Sequence, residues 1–423
     1  MAVKFSYKAW ALLIIVMGVV VAGSYKIGMQ QAAKSGSSPA PESTSVTSGA
    51  GVLPADAQLP PGHPPFQESN LSGDARQDSG PANSRFTHFR AGNRNVKSLY
   101  IDGVNTWIGT SGGVIRYNTA DDSYKMFDNR VSGILSNGIF HVSKLGNRIV
   151  AGTYGGGMSL YDPDTEQWKN YNIQHGLADQ FVYELERVSN GDVWIATWSG
   201  ANRVRGGNLD DLSKWEMFTV ENTQGGLPNR WVYAMEEGKN GEIWFATEGG
   251  LARFANNTWK NWNHSDGLGA PYELVKDEIK FFNDPGKVSE HHARSKSEQG
   301  LQNVDIAYNP NYIISLQIDS DGVVWCGTWG GGLARFDGTT WRNYTMADGL
   351  PGNHIFMLYH DPEGRLWIGT SEGLARFNKD SNSFSVMTTA DGLFANNVFS
   401  MVSAPDGTQW IGSFGGVARI FTK

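Results

Sequence analysis

The chain has 423 residues, a formal net charge of −7 at pH 7, 15 tryptophans and a single cysteine, Cys326. The acidic balance, with no basic stripe, argues against a nucleic-acid partner. One cysteine excludes a disulfide framework within the chain, so the fold depends on its apolar core.

The first 29 residues are predicted to be a signal-anchor segment. Lys4 and Lys8 precede an apolar run over residues 9–25 that is interrupted only by Ser24. Positive charges before such a run place the N-terminus in the cytoplasm and the rest outside. The run is short for a membrane span, which needs about 20 residues, and Val21-Ala22-Gly23 would suit cleavage of a signal peptide. We favour an inner-membrane anchor, because a tether-like segment follows, and a cleaved signal peptide stays the alternative.

Residues 30–83 are predicted to be a disordered linker. They are rich in Ser, Gly, Pro, Ala and Gln and contain few aromatic residues. This composition cannot bury enough apolar surface to fold. The linker would let the following domain move away from a membrane.

From about residue 84 the chain is built from a repeated unit. Each copy is an aromatic and β-branched run, a Gly-rich break and a second short run, which predicts two strands joined by a tight turn. An aromatic-x-x-aromatic run and another apolar run follow, so each unit has four predicted strands. Units of 40–45 residues with four strands are typical of β-propeller blades. The seven copies begin at Trp107, Val150, Trp194, Trp244, Trp325, Trp367 and Trp410.

The N-terminal strand is predicted to close the ring. The last copy ends at Phe421, two residues before the C-terminus, so its fourth strand is missing. The same aromatic-x-x-aromatic pattern occurs at Phe86-Thr87-His88-Phe89. We therefore predict an all-β, seven-bladed propeller over residues 84–423, closed by this strand, which leaves only short, protected edges.

One loop is much longer than its counterparts. Residues 271–310 form an insertion before the unit that begins at Trp325, and residues 272–300 are highly charged with an apolar side. A short helix or an ordered flap is expected there. Insertions in repeat proteins fall on loops, often those of the binding face.

The insertion and the Gly-rich turns are expected on the same face, here called the top face, because strands alternate in direction within a blade. One side chain in each Gly-rich turn varies between copies. A second set of positions, just before the innermost strand of each unit, holds amide or charged residues. Aromatic side chains at a rim suit sugars, peptide side chains or a protein surface. They could equally cap the blade interfaces, and the amides could cap strands. The candidate ligand- or partner-binding residues are Tyr154, Trp198, Arg230, Glu248, Trp329, Asn353, His354 and Phe414.

No catalytic residue, metal site or cofactor is predicted. The sequence offers no Ser-His-Asp order, Cys-His pair or carboxylate pair that can be placed on one site. Glu290, His291 and His292 are residue types that can bind a metal ion. Adjacent histidines rarely face one ion, so no metal site is predicted there. An arginine that recurs in six units, such as Arg335, is interpreted as architectural, packing on aromatic rings or pairing with carboxylates.

The unit D-G-x-x-W-I-G-T-x-x-G-L-A-R-F, followed by D-G-L-P-x-N, resembles the two-component regulator propeller repeat. The best matches are 361–396 and 319–353, and the resemblance covers residues 85–421. It implies a periplasmic sensor-type propeller or a cell-envelope assembly protein. The chain departs from the sensor pattern because no kinase or DNA-binding domain follows the repeats, which puts signal transmission through one polypeptide in doubt.

The sequence therefore favours a non-enzymatic, membrane-tethered module on the periplasmic side of the bacterial cell envelope. It would bind an envelope protein, a glycan or a small molecule through its top face. The alternative is a propeller enzyme of lyase or hydrolase type with its active site at the top of the central channel, since the repeats are distantly similar to streptogramin-lyase-type propellers.

Overall fold

The computed structural model describes residues 76–78 and 86–421, all within one compact unit, Val52–Lys423. The predicted anchor at residues 9–25 and most of the predicted linker at residues 30–83 lie outside the described residues. The described part of that linker, Arg76–Asp78, is a strand that pairs with residues 88–90. The linker prediction is therefore wrong at these three residues, because the segment at Phe86 offers a free edge to which a strand can be added.

The described residues are mostly β-structure, as predicted, and the strands follow one another in a regular order. The strands of the first half are β1 (Arg76–Asp78), β2 (Phe86–Asp102), β3 (Asn105–Thr110), β4 (Gly113–Asn118), β5 (Tyr124–Phe127), β6 (Ile139–Leu145), β7 (Arg148–Thr153), β8 (Met158–Asp162), β9 (Gln167–Tyr171), β10 (Val182–Arg187), β11 (Val193–Thr197), β12 (Gly200–Val204) and β13 (Trp215–Phe218). Those of the second half are β14 (Val232–Glu237), β15 (Ile243–Thr247), β16 (Gly250–Ala255), β17 (Thr258–Trp262), β18 (Asn309–Ile318), β19 (Val324–Trp329), β20 (Leu333–Phe336), β21 (Trp341–Tyr344), β22 (Ile355–His360), β23 (Leu366–Thr370), β24 (Leu374–Asn378), β25 (Ser383–Met387), β26 (Val398–Ser403) and β27 (Gln409–Ile420). The α-helices are α1 (Tyr272–Val275) and α2 (Glu290–Glu298).

These strands form six antiparallel sheets. Five are four-stranded meanders, β6–β9, β10–β13, β14–β17, β18–β21 and β22–β25. The sixth has seven strands, with the order β26-β27-β2-β3-β4-β5 and β1 paired with β2. The predicted aromatic-x-x-aromatic runs, such as Trp341/Tyr344, are the outermost strands of their sheets, as expected.

Strand β2 joins the two ends of the described repeats. Its first part, Phe86–Arg90, pairs with residues 416–420 of β27, and its second part, Val96–Asp102, pairs with β3. The first strands of successive sheets contact one another in the cyclic order β2, β6, β10, β14, β18, β22, β26 and back to β2. The sheets are therefore arranged around a common centre, as in a propeller.

The Gly-rich turn has the same construction in six of the repeats. The hydroxyl of Thr247 donates to the carbonyl of Gly250 at 2.7 Å, and Thr328 does the same to Gly332 at 2.7 Å. Gly250 has φ +125°, and a Cβ there would lie 2.2 Å from the carbonyl oxygen of Trp262. Only glycine fits this position, so the repeated Gly is explained by backbone conformation and close strand approach.

The repeated arginine is architectural, as predicted. Arg335 lies opposite Trp325 on the neighbouring strand, with its guanidinium carbon 5.8 Å from the ring centroid. The same contact is made by Arg116, Arg203, Arg253, Arg376 and Arg419 on the Trp of their own repeats. A cation–π contact of this kind therefore recurs on the Trp of the second strand in six repeats.

The core lies between neighbouring sheets. Cys326 is fully buried in one such layer, together with Trp244 and Trp262 of the preceding sheet. Burial raises the pKa of its thiol, so the side chain behaves as a small apolar residue.

Candidate functional site

A cavity of about 490 Å³ lies where the first strands of the sheets converge. Its wall is dominated by aromatic side chains. The lining residues are Asn95, Lys97, Phe140, Tyr154, Tyr183, Trp198, Trp231, Tyr233, Phe281, Asn283, His292, Tyr312, Ile314, Trp329, Phe356 and Phe399. A concave, mostly apolar site with a few polar groups is typical of ligand-binding pockets.

Seven of the lining residues come from one repeated irregularity. In each first strand the pairing register with the second strand shifts at the same place, for example between Val182 and Glu184 and between Val398 and Ser400. The residue left unpaired by the shift is the one that lines the cavity, because a β-bulge redirects a side chain. These residues are Lys97, Phe140, Tyr183, Tyr233, Ile314, Phe356 and Phe399.

The aromatic side chains of the wall pack against one another. Tyr312 is stacked on Trp329 with ring centroids 5.4 Å apart, and Tyr233 lies 4.8 Å from Tyr312. On the neighbouring part of the wall, Trp198 contacts Trp231 with a centroid distance of 3.5 Å. These contacts hold flat, rigid surfaces toward the cavity, to which rings and apolar groups can bind with little loss of side-chain entropy.

The insertion covers part of this cavity. Phe281 packs against Trp329 and Phe356, at centroid distances of 5.7 and 5.5 Å. The insertion is held in shape by the buried pair Lys296–Asp284, with Nζ and Oδ2 2.7 Å apart, and the same ammonium group donates to the carbonyls of Val304 and Ile306. The expected helix or ordered flap is therefore present as two short α-helices and a packed loop.

A second buried pair connects the insertion to the repeats. His292 Nδ1 lies 2.9 Å from Glu248 Oε1, and His291 Nε2 lies 3.5 Å from Glu248 Oε2. Burial raises the pKa of the Glu248 carboxyl, but the two histidines lower it by more, so the pKa is about 2. Glu248 is thus an anion that fixes α2 over the cavity, since a buried carboxylate needs a hydrogen-bonded partner.

Three of the eight predicted binding residues line the cavity. Tyr154, Trp198 and Trp329 all face it, and each is partly buried by contacts with its neighbours. They are less exposed than the rim expected from sequence. Their involvement in binding stays a prediction.

Four of the remaining predicted residues have intramolecular partners. Glu248 is paired as described, and His354 contacts the carbonyl of Ala307 through Nε2 at 2.6 Å, while burial lowers its pKa to about 4. Asn353 donates to Glu278 at 2.9 Å and accepts from the Met346 N–H. Arg230 forms an exposed ion pair with Glu221.

The last predicted residue, Phe414, is exposed and lies outside the cavity lining. It forms part of the turn of the last repeat and faces Asn95 across the strand pair. Its role in binding also stays a prediction.

Sequence reasoning missed the bulge residues and two large side chains, Trp231 and Tyr312. A signal for the bulge residues was present: a Val or Ile precedes the bulge position in each first strand, and the bulge residue is aromatic in five of the seven copies. The insertion residue Phe281 carried no such signal, because its place depends on how the loop folds back.

Comparison with known proteins agrees with this architecture. The sequence model of the family called two component regulator propeller matches residues 226–249, 307–330 and 349–372. The chain carries two-component regulator propeller repeats. No curated protein sequence matches the chain significantly.

Each matched two-component regulator propeller repeat contains one bulge residue of the cavity. Residues 226–249 include Tyr233, residues 307–330 include Ile314, and residues 349–372 include Phe356. The repeat motif therefore spans a loop, the first strand that follows it and the second strand, which are the elements that shape the cavity.

Solved structures support the propeller fold. One is the extracellular domain of a protein from B. thetaiotaomicron assigned to the hybrid two component systems, with 17% identity, a TM-score of 0.58 and 78% of this chain covered. The chain spans only 40% of the length of that structure. Streptogramin B lyase has 11% identity and a TM-score of 0.53, covering 79% of this chain and 96% of its own. YCF48 bound to D1 peptide has 11% identity and a TM-score of 0.52, covering 81% and 99%. At these identities the likeness concerns the fold.

Within residues 76–78 and 86–421, no three His, Cys, Asp or Glu side chains come together in an arrangement that could hold a metal ion. His291 and His292 instead contact Glu248. In the same part of the chain, no helix is long and apolar enough to cross a membrane.

Proposed function

We propose that the chain is a binding module that takes a small molecule, or a side chain of a protein partner, into the aromatic cavity on its top face. The observation that carries this proposal is the cavity of about 490 Å³, whose wall includes the stacked pair Tyr312–Trp329 and the tilted pair Trp198–Trp231. Repeats on a rigid scaffold, with an insertion in one loop that covers part of the cavity, are a usual way to build a recognition site.

We further propose that the six sheets make a seven-bladed propeller, with the seven-stranded sheet supplying two blades. Two observations support this count. The first strands contact one another in a cycle of seven, and Phe86–Arg90 pairs with the end of β27 where the last unit lacks its own fourth strand. The proposal extends the domain to residues 84–423 and places the insertion, residues 271–310, on its top face.

The proposed location is the periplasmic side of the inner membrane, with residues 9–25 as an anchor, or the periplasm if that segment is cleaved. The proposal is supported by Lys4 and Lys8 before the apolar run and by the description of one structural neighbour as an extracellular domain. A reporter that is active only in the cytoplasm, fused after Lys423, should be silent. An active reporter would contradict this location.

The role of the cavity in binding is tested by replacing two of the aromatic side chains that line it. Trp198→Ala combined with Trp329→Ala should weaken ligand binding more than a hundredfold, because an anchor aromatic can contribute ~2 kcal/mol or more. Ligands would first be found by a thermal-shift screen of the parent chain, and their affinities measured by calorimetry. Because both Trp side chains are partly buried, the folded state of the variant has to be checked by circular dichroism.

The matched control is Phe414→Ala, which removes an aromatic side chain that is 48% exposed and lies outside the cavity lining. If the ligand lies in the cavity, this variant should bind as the parent chain does, whereas Phe414 contributes if the site is the rim predicted from the sequence. Weaker binding in this control, with normal binding in the double variant, would move the site from the cavity to the outer rim of the top face.

A second candidate function is an enzyme of lyase or hydrolase type. His292 lines the cavity and its Nδ1 is oriented by the buried Glu248 carboxylate, an arrangement used by general bases. Streptogramin B lyase shares the fold, but fold alone does not determine chemistry. Conversion of a bound compound by the parent chain, lost in His292→Gln, would favour this alternative.

A further inference from the structure

The cavity contains one cationic side chain that departs from the repeat. Six of the seven bulge positions hold Phe, Tyr or Ile, whereas the first holds Lys97. The other bulge residues supply apolar or aromatic surface. A lysine at this position therefore adds a charge to the wall at a single point of the ring.

Lys97 has no counter-ion within the part of the chain that the structure describes. Its Nζ lies 4.6 Å from the centroid of the Phe140 ring, and no carboxylate there comes within ion-pair distance of it. The buried carboxylate of Glu248 is not part of the cavity lining and is already paired with His292. Burial lowers the pKa of Lys97 to about 8, which reflects a cation that has lost water without gaining an anion.

We propose that the cavity binds a ligand with a flat, apolar or aromatic body and a single anionic group, a carboxylate, sulfonate or phosphate, that contacts the Lys97 ammonium. This inference rests on the proposed function of the same cavity. The ring body lies against the stack of Tyr312 and Trp329, and the anion supplies the missing counter-ion at Nζ. A charge-assisted contact in a largely desolvated site is stronger than a neutral hydrogen bond.

The charge of Lys97 also sets a pH dependence. The ammonium is present below pH 8 and is lost as the pH rises through 8, so the preference for anions disappears at higher pH. The tyrosines that face the cavity do not titrate in this window, because burial raises the pKa of Tyr154 to about 12 and those of Tyr183, Tyr233 and Tyr312 further. His141, one residue beyond Phe140, has a pKa lowered to about 4 by burial, and His292 is paired with the Glu248 carboxylate.

Two fluorescent probes with one ring system test the inference in the full chain. 8-Anilino-1-naphthalenesulfonate carries an anionic sulfonate, and N-phenyl-1-naphthylamine is the same skeleton without it. At pH 7 the sulfonate probe should bind the parent chain roughly ten- to a hundredfold more tightly than it binds Lys97→Met. The neutral probe should bind both chains equally, and Lys97→Arg should keep the tight binding of the anion. Between pH 7 and pH 9.5 the advantage of the sulfonate probe should vanish in the parent chain.

Trp329→Ala separates this inference from the proposed function. Both probes should bind this variant more weakly, because it removes a wall of the cavity. If the neutral probe depends on Trp329 but the sulfonate probe binds the parent chain and Lys97→Met equally, the anionic ligand is refuted and the binding cavity stands. If neither probe depends on Trp329, the cavity does not take organic ligands, and both proposals fail.

Discussion

Phe89→Ala is expected to lower the melting temperature of the chain by roughly 10 °C. Phe89 is 1% exposed and lies in the segment Phe86–Arg90 that pairs with the end of β27. Its ring is 5.1 Å from Tyr117 and packs in one core layer with Trp410 and Val417. Deleting a buried Phe side chain costs about 3–5 kcal/mol of stability. Each kcal/mol lowers the melting temperature by about 2–4 °C in domains of 150–250 residues, and by slightly less in a larger domain such as this one.

The matched comparison is Phe127→Ala. Phe127 is 2% exposed and ends the aromatic-x-x-aromatic run of β5, the position that Phe89 holds in its own run. If the N-terminal strand closes the ring, the two substitutions should destabilise to a similar extent in differential scanning calorimetry. If Phe127→Ala is strongly destabilising and Phe89→Ala is nearly silent, the strand at Phe86 is an appendage and the closure model fails.

The repeat could be predicted because each of its elements has a local physical cause. The Gly after the second strand is required by its backbone conformation, as at Gly250, and the arginine of the third strand faces the Trp of the second, as Arg335 faces Trp325. A turn that needs glycine and a cross-strand pair that needs period-two spacing are both visible in one copy of the sequence. Seven copies then make the assignment independent of any single residue.

The cavity could be predicted only in part, because its shape depends on contacts between repeats. Three of the turn positions that were predicted near the centre, Tyr154, Trp198 and Trp329, reach the cavity. Glu248, in the equivalent turn, does not, because His291 and His292 of the insertion engage its carboxylate. No repeat pattern specifies how a unique loop packs.

The bulge residues were missed for a different reason. Strict alternation along a strand assigns Tyr183 and Phe356 to one face or the other, but the register shift after Val182 and after Ile355 turns the following side chain toward the centre. A bulge has no strong sequence signature of its own. It becomes recognisable only when the same irregularity is compared across copies.

Glu184→Gln is expected to remove much of the pH dependence of stability. Glu184 lies on β10 and its Oε2 accepts a hydrogen bond from the Met235 N–H of the next sheet at 2.6 Å. Burial, and then the charge of Glu186, raise the pKa of Glu184 to about 8. Burial also raises the pKa of Glu186, to about 7, because it outweighs the lowering by a hydrogen bond from the Glu237 backbone. Glu236, on the neighbouring strand, also has a raised pKa because of burial and these two carboxyls.

The direction in which stability changes with pH follows from proton linkage. With pKa values raised above the ordinary range near 4.5, the folded chain holds these protons more tightly than the unfolded chain does. The contribution to stability is fully present below about pH 4.5 and is lost as the pH rises through 7 and 8. Each pKa unit corresponds to about 1.4 kcal/mol, and discounting for the partial exposure of Glu184 leaves a contribution on the order of 2 kcal/mol.

In calorimetric scans, the melting temperature of the parent chain should therefore fall between pH 5 and pH 8.5. Glu184→Gln should match the parent at pH 5 and melt several degrees higher at pH 8.5, because the amide oxygen still accepts from Met235 and carries no charge to desolvate. Glu363→Gln, in an exposed pair with Arg365, is the control and should follow the parent at both pH values. Equal pH dependence of the melting temperature in Glu184→Gln and the parent would contradict this prediction. It would mean that the Glu184 carboxylate is hydrated and ionised in the folded chain at neutral pH.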